Sequence, residues 1–433
     1  MTAPAGSAVD NSRFRETLQA RVSASPAWLA DRRGLAWAAY QELPLPSSAR
    51  DEDWRRTPIN RLRLDRFDPA VTPADADVER ARARRDAGAP DSAFLAIGAG
   101  GVLGGDGADA LLAQGVIIAP LSEAAERHAE LVERGLSIIS AGESTFTALW
   151  NAIWEDGLFV YVPRNVAATA PVWLSHVAAE GGLTLPACVI VLDDGAQLRL
   201  IEDMTSISGE HAAIAVTTAH LGSDAQLEHV SVQDWSRNAW HLGTVRAEQG
   251  RGSRLRLVGL SLGSRLQKTY WQTRLQGDGS EADITGVAAV SGERHLDHQS
   301  LQAHVGRDTR SALLLKTAVR DTGRSVYSGM IDVEPSAVHT DGYVQNRNLL
   351  LSRGARASGI PRLEIRANDV RCGHGATVGH IDDDERFYLQ SRGIATEEAD
   401  RIIVRGFFAD ALDRLPDPGL REWADGLIAA EVG

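Results

Sequence analysis

The chain has 433 residues, 43% of them hydrophobic and 24% charged, the balance of a folded chain rather than a disordered one. Its 45 Lys and Arg stand against 58 Asp and Glu, and a formal charge of −13 argues against general binding to nucleic-acid phosphates. Lys268 and Lys316 are the only lysines, which leaves little room for Schiff-base or P-loop chemistry; two distant cysteines, Cys188 and Cys372, exclude a disulfide framework and a CxxC zinc site.

No apolar leader is legible in residues 1–13, and no run approaches the roughly 20 apolar residues of a membrane span, so a soluble cytoplasmic protein is expected. The first 90 residues read as helical and irregular. Ser25-Pro26-Ala27 predicts a helix start with Pro at the first position and Ser as its cap. Residues 43–48 form a loop, the block DEDWRR follows at 51–56, and 74–85 suit a solvated helix. A strand at 93–97 runs into Gly98-Ala99-Gly100-Gly101. A dinucleotide-binding GxGxxG would need glycine where Leu103 stands, so these glycines predict a turn to a second strand at 116–118. Residues 121–136 and 145–154 read as helices.

From Asp156 onward, short Val/Leu/Ile-rich segments alternate with Gly, Asp and Ser turns, the texture of strands. A turn followed by a strand recurs at Gly195-Ala196, Asp224-Ala225 and Gly252-Ser253, with looser copies near Ser280, Thr309 and Ala337, a period of about 28 residues. Propeller repeats are longer and carry signatures absent here. Stacked coils that bury their apolar faces on one another fit better, with a hairpinned β-sandwich as the alternative.

After Gly379 the pattern returns to helix. Asp382 and Glu385 are spaced like a capping box, and Thr396 is placed to cap a second helix with Glu397 and Glu398 in its first turn. Ala399, Ile402, Ile403, Gly406 and Phe407 form an apolar stripe, Pro416 and Pro418 end it, and Trp423, Leu427 and Ile428 belong to a last short helix. The expected division is an N-terminal helical and mixed segment (1–155), a parallel β-helix core (156–378) and a C-terminal helical segment (379–433), mainly β overall.

Cys372-Gly373-His374 is the sharpest local feature. Two residues apart on a strand, the thiol and the imidazole share one face, and both are soft ligands for iron or zinc. Two cysteines cannot supply a four-cysteine cluster site, so a cluster here needs ligands from a partner; on spacing alone, a buried, small apolar Cys372 beside a hydrogen-bonded strand His374 is the preferred account. His295, Asp297 and His298, with His304 and Asp308, suggest a metal, but a polar solvent face on a β-coil is the preferred account. No GxSxG elbow anchors a hydrolase triad. The amide-rich tract 340–348 suits a ladder along stacked coils, or a carbohydrate site at Asp341 and Asn346.

The blocks QNRNLLLS (345–352), PRLEIRANDVRCGHGATVG (361–379) and ERFYLQSRGI (385–394) resemble the SufB/SufD family of iron–sulfur cluster assembly proteins. DEDWRR, FTALWNAIWEDGLFVYVP (146–163) and LDH (296–298) are weaker matches. The sparse cysteines, the chain length and the Cys-x-His pair look closer to SufD than to SufB, although SufD chains usually carry Ser where Gly373 stands. The resemblance implies a right-handed parallel β-helix flanked by helical segments, acting as a non-catalytic scaffold. It implies partners too: a SufB-like paralogue, two copies of the SufC ATPase and, indirectly, a cysteine desulfurase system. The ATPase contact falls on Phe387, Tyr388, Arg392, Gly393 and the helices after them. The resemblance further implies a transient Fe–S cluster at the SufB–SufD interface, with His374, and Cys372 beside it, as the ligands expected from this subunit. A SufB-like role receiving persulfide sulfur, a homodimer of the isolated chain, and a β-helix carbohydrate-active enzyme are the other expectations.

Overall fold

The structure, a computed structural model, describes residues 11–432; residues 1–10, most of the stretch read for a leader, lie outside it. Its body is a parallel β-solenoid of about eight turns between helical N- and C-terminal segments. Strands alternate between two sheets as the chain coils. In one sheet Arg254 lies beside Glu281, Glu281 beside Arg310, Arg310 beside Asp341 and Asp341 beside Arg371, all parallel. Parallel pairing at spacings of 27 to 31 residues excludes the hairpinned sandwich.

The period has a local cause. At one corner of each coil a residue sits at positive φ: Asn165, Gly195, Asp224, Gly252, Gly279, Asp308, His339 and Asp369. Left-handed backbone favours Gly, Asn and Asp, which is why the corner is legible as a repeat. These corners also stack through backbone bonds, Gly195 N–H to the Ser223 carbonyl at 2.8 Å, Asp224 to Arg251 at 2.7 Å and Gly252 to Asp278 at 2.9 Å. Inside, like residues stack in rows. Leu257, Ile284, Leu313 and Val344 are successive register neighbours, all buried.

The solenoid begins with antiparallel strands. Ala93–Gly98 turns directly into Gly101–Asp106, with Gly100 and Gly101 both at positive φ, so the glycine run itself supplies the second strand. The strand expected there, Ile117–Pro120, joins the other sheet against Leu158–Val162. Other N-terminal expectations shift locally. Pro26 itself occupies the cap of helix Ala27–Glu42, because the Ser25 hydroxyl donates to the Arg21 carbonyl of the preceding helix. The helix expected over 121–136 breaks at His128 into Leu121–Arg127 and Ala129–Leu136. These helices and Thr145–Ile153 bury Trp37, Tyr40, Leu136, Trp150 and Trp154 in one core with the first coils.

At the other end, helices Thr396–Leu412 and Pro418–Val432 fold back onto the outer face of one sheet, where Val404, Phe408, Leu420 and Ile428 pack against Val230, Val258 and Val287. The buried residues are Ala399, Val404, Phe408, Ala411 and Leu412; of the expected stripe Ala399 is buried, Ile403 and Phe407 are partly buried against the same core, and Ile402 is exposed. Thr396 opens the helix from within; its hydroxyl accepts from Gln390 Nε2 at 2.9 Å instead of capping. Asp382 does cap Asp383–Ser391, accepting from the Asp384 and Glu385 amides.

Candidate functional site

The solenoid's last coil is made of strands Arg356–Ile365 and Arg371–His380. Each pairs with the preceding coil on one side, and among the described residues no strand pairs with its other side. Pro361 stands in the first of them, and edge strands are where sheets tolerate proline. The interior rows run out here. Val344 is followed by His374, and Gly342 by Cys372. His374 is therefore the first member of its row without a coil above it, and it is exposed. Leu363, Ile365 and Val378 are exposed for the same reason, Val378 at 50%.

Cys372 is half-buried and packs against the apolar cluster of Leu313, Ile331, Val333 and Val344. Burial pushes its thiol up, partly opposed by a hydrogen bond with the Gly342 backbone. No hydrogen bond holds the His374 ring among the described residues, and no three His, Cys, Asp or Glu side chains among them converge as a metal-binding group. The last coil thus offers a thiol and an imidazole on one inward face at an open mouth, two soft donors where a tetrahedral site takes four.

The ATPase-contact residues expected from the resemblance lie just beyond. Phe387 and Tyr388 are exposed at 69% and 57%, the Arg392 guanidinium lies 5.1 Å above the Tyr388 ring, and Gly393 ends the helix at φ +84°. Helix Asp383–Ser391 buries none of its residues and is tied back by Arg386 to Asp400 at 2.7 Å.

The other candidates are placed differently. His295, Asp297 and His298 form no solvent face; all are buried. The N-terminal segment covers the outer side of their strand. Lys268 Nζ donates to the Asp53 carbonyl at 2.7 Å and to the Asp297 carboxylate at 2.5 Å, the Thr57 hydroxyl also donates to Asp297, and the ammonium lies 4.7 Å from the Trp54 ring. The DEDWRR and LDH blocks therefore meet at a buried lysine. His298 and His304 point inward, bonded to Ser261 and to Thr309 and Ser311. Asp341 and Asn346 lie on opposite faces of one strand, and buried Asn346 joins Asn348 at 2.7 Å, so they make no shared carbohydrate site.

The sequence reading missed a buried polar file inside the solenoid. Glu202 has no exposed surface and accepts from His176 Nε2 at 3.0 Å, His229 Nε2 at 3.1 Å and the Thr217 hydroxyl at 2.8 Å. Burial alone would raise its pKa; the two imidazoles win and hold it well below the usual carboxylate range. Aligning the repeats would have revealed this, since Glu202 and His229 occupy inward positions that neighbouring coils fill with apolar or small residues.

The chain is thus an open-ended parallel solenoid with a helical tail and two soft donors at its mouth. Residues 11–174 match the SufBD protein N-terminal region, and 175–407 match the SUF system FeS cluster assembly SufBD core domain. The chain belongs to the SufBD family of iron–sulfur cluster assembly proteins. It is 27% identical over 309 residues to an iron–sulfur cluster assembly SufBD family protein of Staphylococcus saprophyticus, covering 70% of this chain and 66% of that one. A Synechocystis protein of the same description is 29% identical over 287 residues, 64% of this chain and 63% of its own. The chain thus spans just under two thirds of the length of these relatives. No helix among the described residues is long and apolar enough to cross a membrane.

Proposed function

We propose that this chain is a SufD-like, non-enzymatic scaffold subunit of a cytoplasmic SufBCD-type complex, and that its open mouth is half of the place where a nascent Fe–S cluster is built. The observation that carries this is the last coil, where Cys372 and His374 occupy interior positions that no further coil covers. Unpaired strand edges and exposed interior side chains call for a second body, and a SufB-like paralogue is the partner that would bring the missing ligands. The cluster is cargo. Cys372 would bind it as a thiolate and His374 as a neutral imidazole, so loading releases protons. Sulfur would come from a cysteine desulfurase system through the paralogue.

The exposed Phe387 and Tyr388 on a helix that buries nothing of its own support docking of a SufC-like ATPase there, with Arg392 and Gly393 shaping the helix end. ATP binding would move the two solenoids only through a difference in affinity between open and closed states. The test is His374→Ala in the complex co-purified anaerobically with its ATPase. Iron and sulfide counts should fall to background while the complex stays assembled, and a normal cluster yield would refute the ligand role. A SufB-like role is the second reading, favoured by the accessible Cys372 thiol; mass spectrometry of the complex after desulfurase turnover would show a persulfide on Cys372 if it holds.

A further inference from the structure

The strand that carries Cys372 and His374 is weakly built. Its outward positions are Arg371, Gly373, Gly375, Thr377 and Gly379, so three of five have no side chain. Glycine weakens a strand, and this strand has a ladder on one side only. One residue covers its back. Tyr343, outward on the neighbouring strand, is the register partner of Gly373. A Cβ at Gly373 would lie 3.3 Å and 3.4 Å from two carbons of the Tyr343 ring, and a Cβ at Gly375 would lie 3.3 Å from its hydroxyl; nothing else comes within 4 Å of either. One edge of the ring and its hydroxyl run along the outward side of the edge strand, behind the two inward donors, an aromatic covering of edge glycines. Gly373 now has a reason: the serine expected there from the resemblance would force the ring to give by a few tenths of an ångström.

We propose that Tyr343 is the positioning residue of the site, holding the edge strand flat so that the Cys372 thiol and the His374 imidazole keep their spacing at the mouth. This rests on the reading of that pair as cluster ligands. About half of Tyr343 remains exposed; its ring carbons cover Gly373, which sits between the two donors, while its hydroxyl reaches only Gly375, so Tyr343→Phe keeps the contact that the proposal uses.

The test compares Tyr343→Ala, Tyr343→Phe and Gly373→Val in the full-length chain. Two readouts need no cluster: amide exchange over residues 371–380, and alkylation of Cys372 by iodoacetamide, to which fully buried Cys188 is closed. Tyr343→Ala should speed both about tenfold or more, Gly373→Val should reproduce this by displacing the ring, and Tyr343→Phe should stay within twofold of the parent. In the assembled complex, Tyr343→Ala should lower iron and sulfide yield and Tyr343→Phe should retain it. Exchange and alkylation within twofold of the parent in Tyr343→Ala overturn the proposal. So does faster exchange with an unchanged yield when His374→Ala abolishes that yield. If His374→Ala itself builds clusters normally, the ligand reading has failed, and exchange and alkylation alone decide whether the ring clamps the strand.

Discussion

Glu202 shows how a charge is kept inside a solenoid. Its two oxygens are shared among His176, His229 and Thr217 with no water-facing surface. Removing the carboxylate strands three buried polar groups, each costing about 1–3 kcal/mol when left without a partner. Glu202→Ala should therefore lower stability by about 3 kcal/mol or more in urea unfolding. The triple replacement of His176, Glu202 and His229 by leucine should recover much of that loss, because an apolar core of similar volume owes no hydrogen bonds. A single variant no less stable than the parent would show that water reaches the site. The same paired logic separates Cys372 from Cys188. Both thiols are pushed up by burial, but Cys188 is fully buried whereas Cys372 is only half-buried.

The N-terminal segment around Trp54 is tied to the solenoid through Lys268, which joins Asp297 to the Asp53 carbonyl, while Gln299 Nε2 donates to that same carbonyl at 3.0 Å. Lys268→Met leaves the Asp297 carboxylate buried beside Thr57 alone, and breaking a buried pair from one side costs about 3–5 kcal/mol. The expected sign is faster tryptic cleavage after Arg55 and Arg56 with the rest of the solenoid still protected; unchanged cleavage would mean that apolar packing of Trp54 suffices. This element also shows what the sequence could and could not reveal. Coils were legible because left-handed corners recruit Gly, Asn and Asp at regular intervals. The alternation at 295–298 was legible as two faces, but not which face is covered, since the cover comes from a segment 240 residues away. Likewise, Cys372 and His374 could be placed on one side of a strand by its period of two. That this side points inward at an uncovered coil follows only from where the stacking stops, and the Tyr343 ring behind it follows only from register. The helix Thr396–Leu412 was legible with part of its packing stripe, Ala399, Ile403 and Phe407, but the sheet it meets sets the deepest contacts at Val404 and Phe408.

The whole molecule should be sensitive to mild acid. Burial lowers the pKa of His241 to about 3 and those of His211, His295, His298 and His304 to about 4, against 6.5 unfolded. Between those values the unfolded chain takes up protons that the folded chain refuses. Their contribution to stability is therefore fully present above about pH 6.5 and is lost as pH falls toward 4. At about 1.4 kcal/mol per pKa unit each contributes on the order of 3 kcal/mol, so a few together match the roughly 5–15 kcal/mol stability of a whole domain. The urea midpoint should be flat from pH 8 to 7 and fall steeply from 6.5 to 4; a midpoint unchanged at pH 5 would mean that these imidazoles charge within the fold. The two lysines carry a different consequence. Lys268 and Lys316 expose 0% and 5% of their side chains, one clamped beneath the N-terminal segment and the other donating to the Phe407 carbonyl at 2.5 Å and to Asp410 on the C-terminal helix. Succinimidyl esters, biotinylation reagents and amine-to-amine cross-linkers will find no lysine on the surface of this folded chain. Mapping its neighbours by chemistry will have to start from the abundant carboxylates, and any lysine adduct that does form marks a molecule whose end segments have come loose.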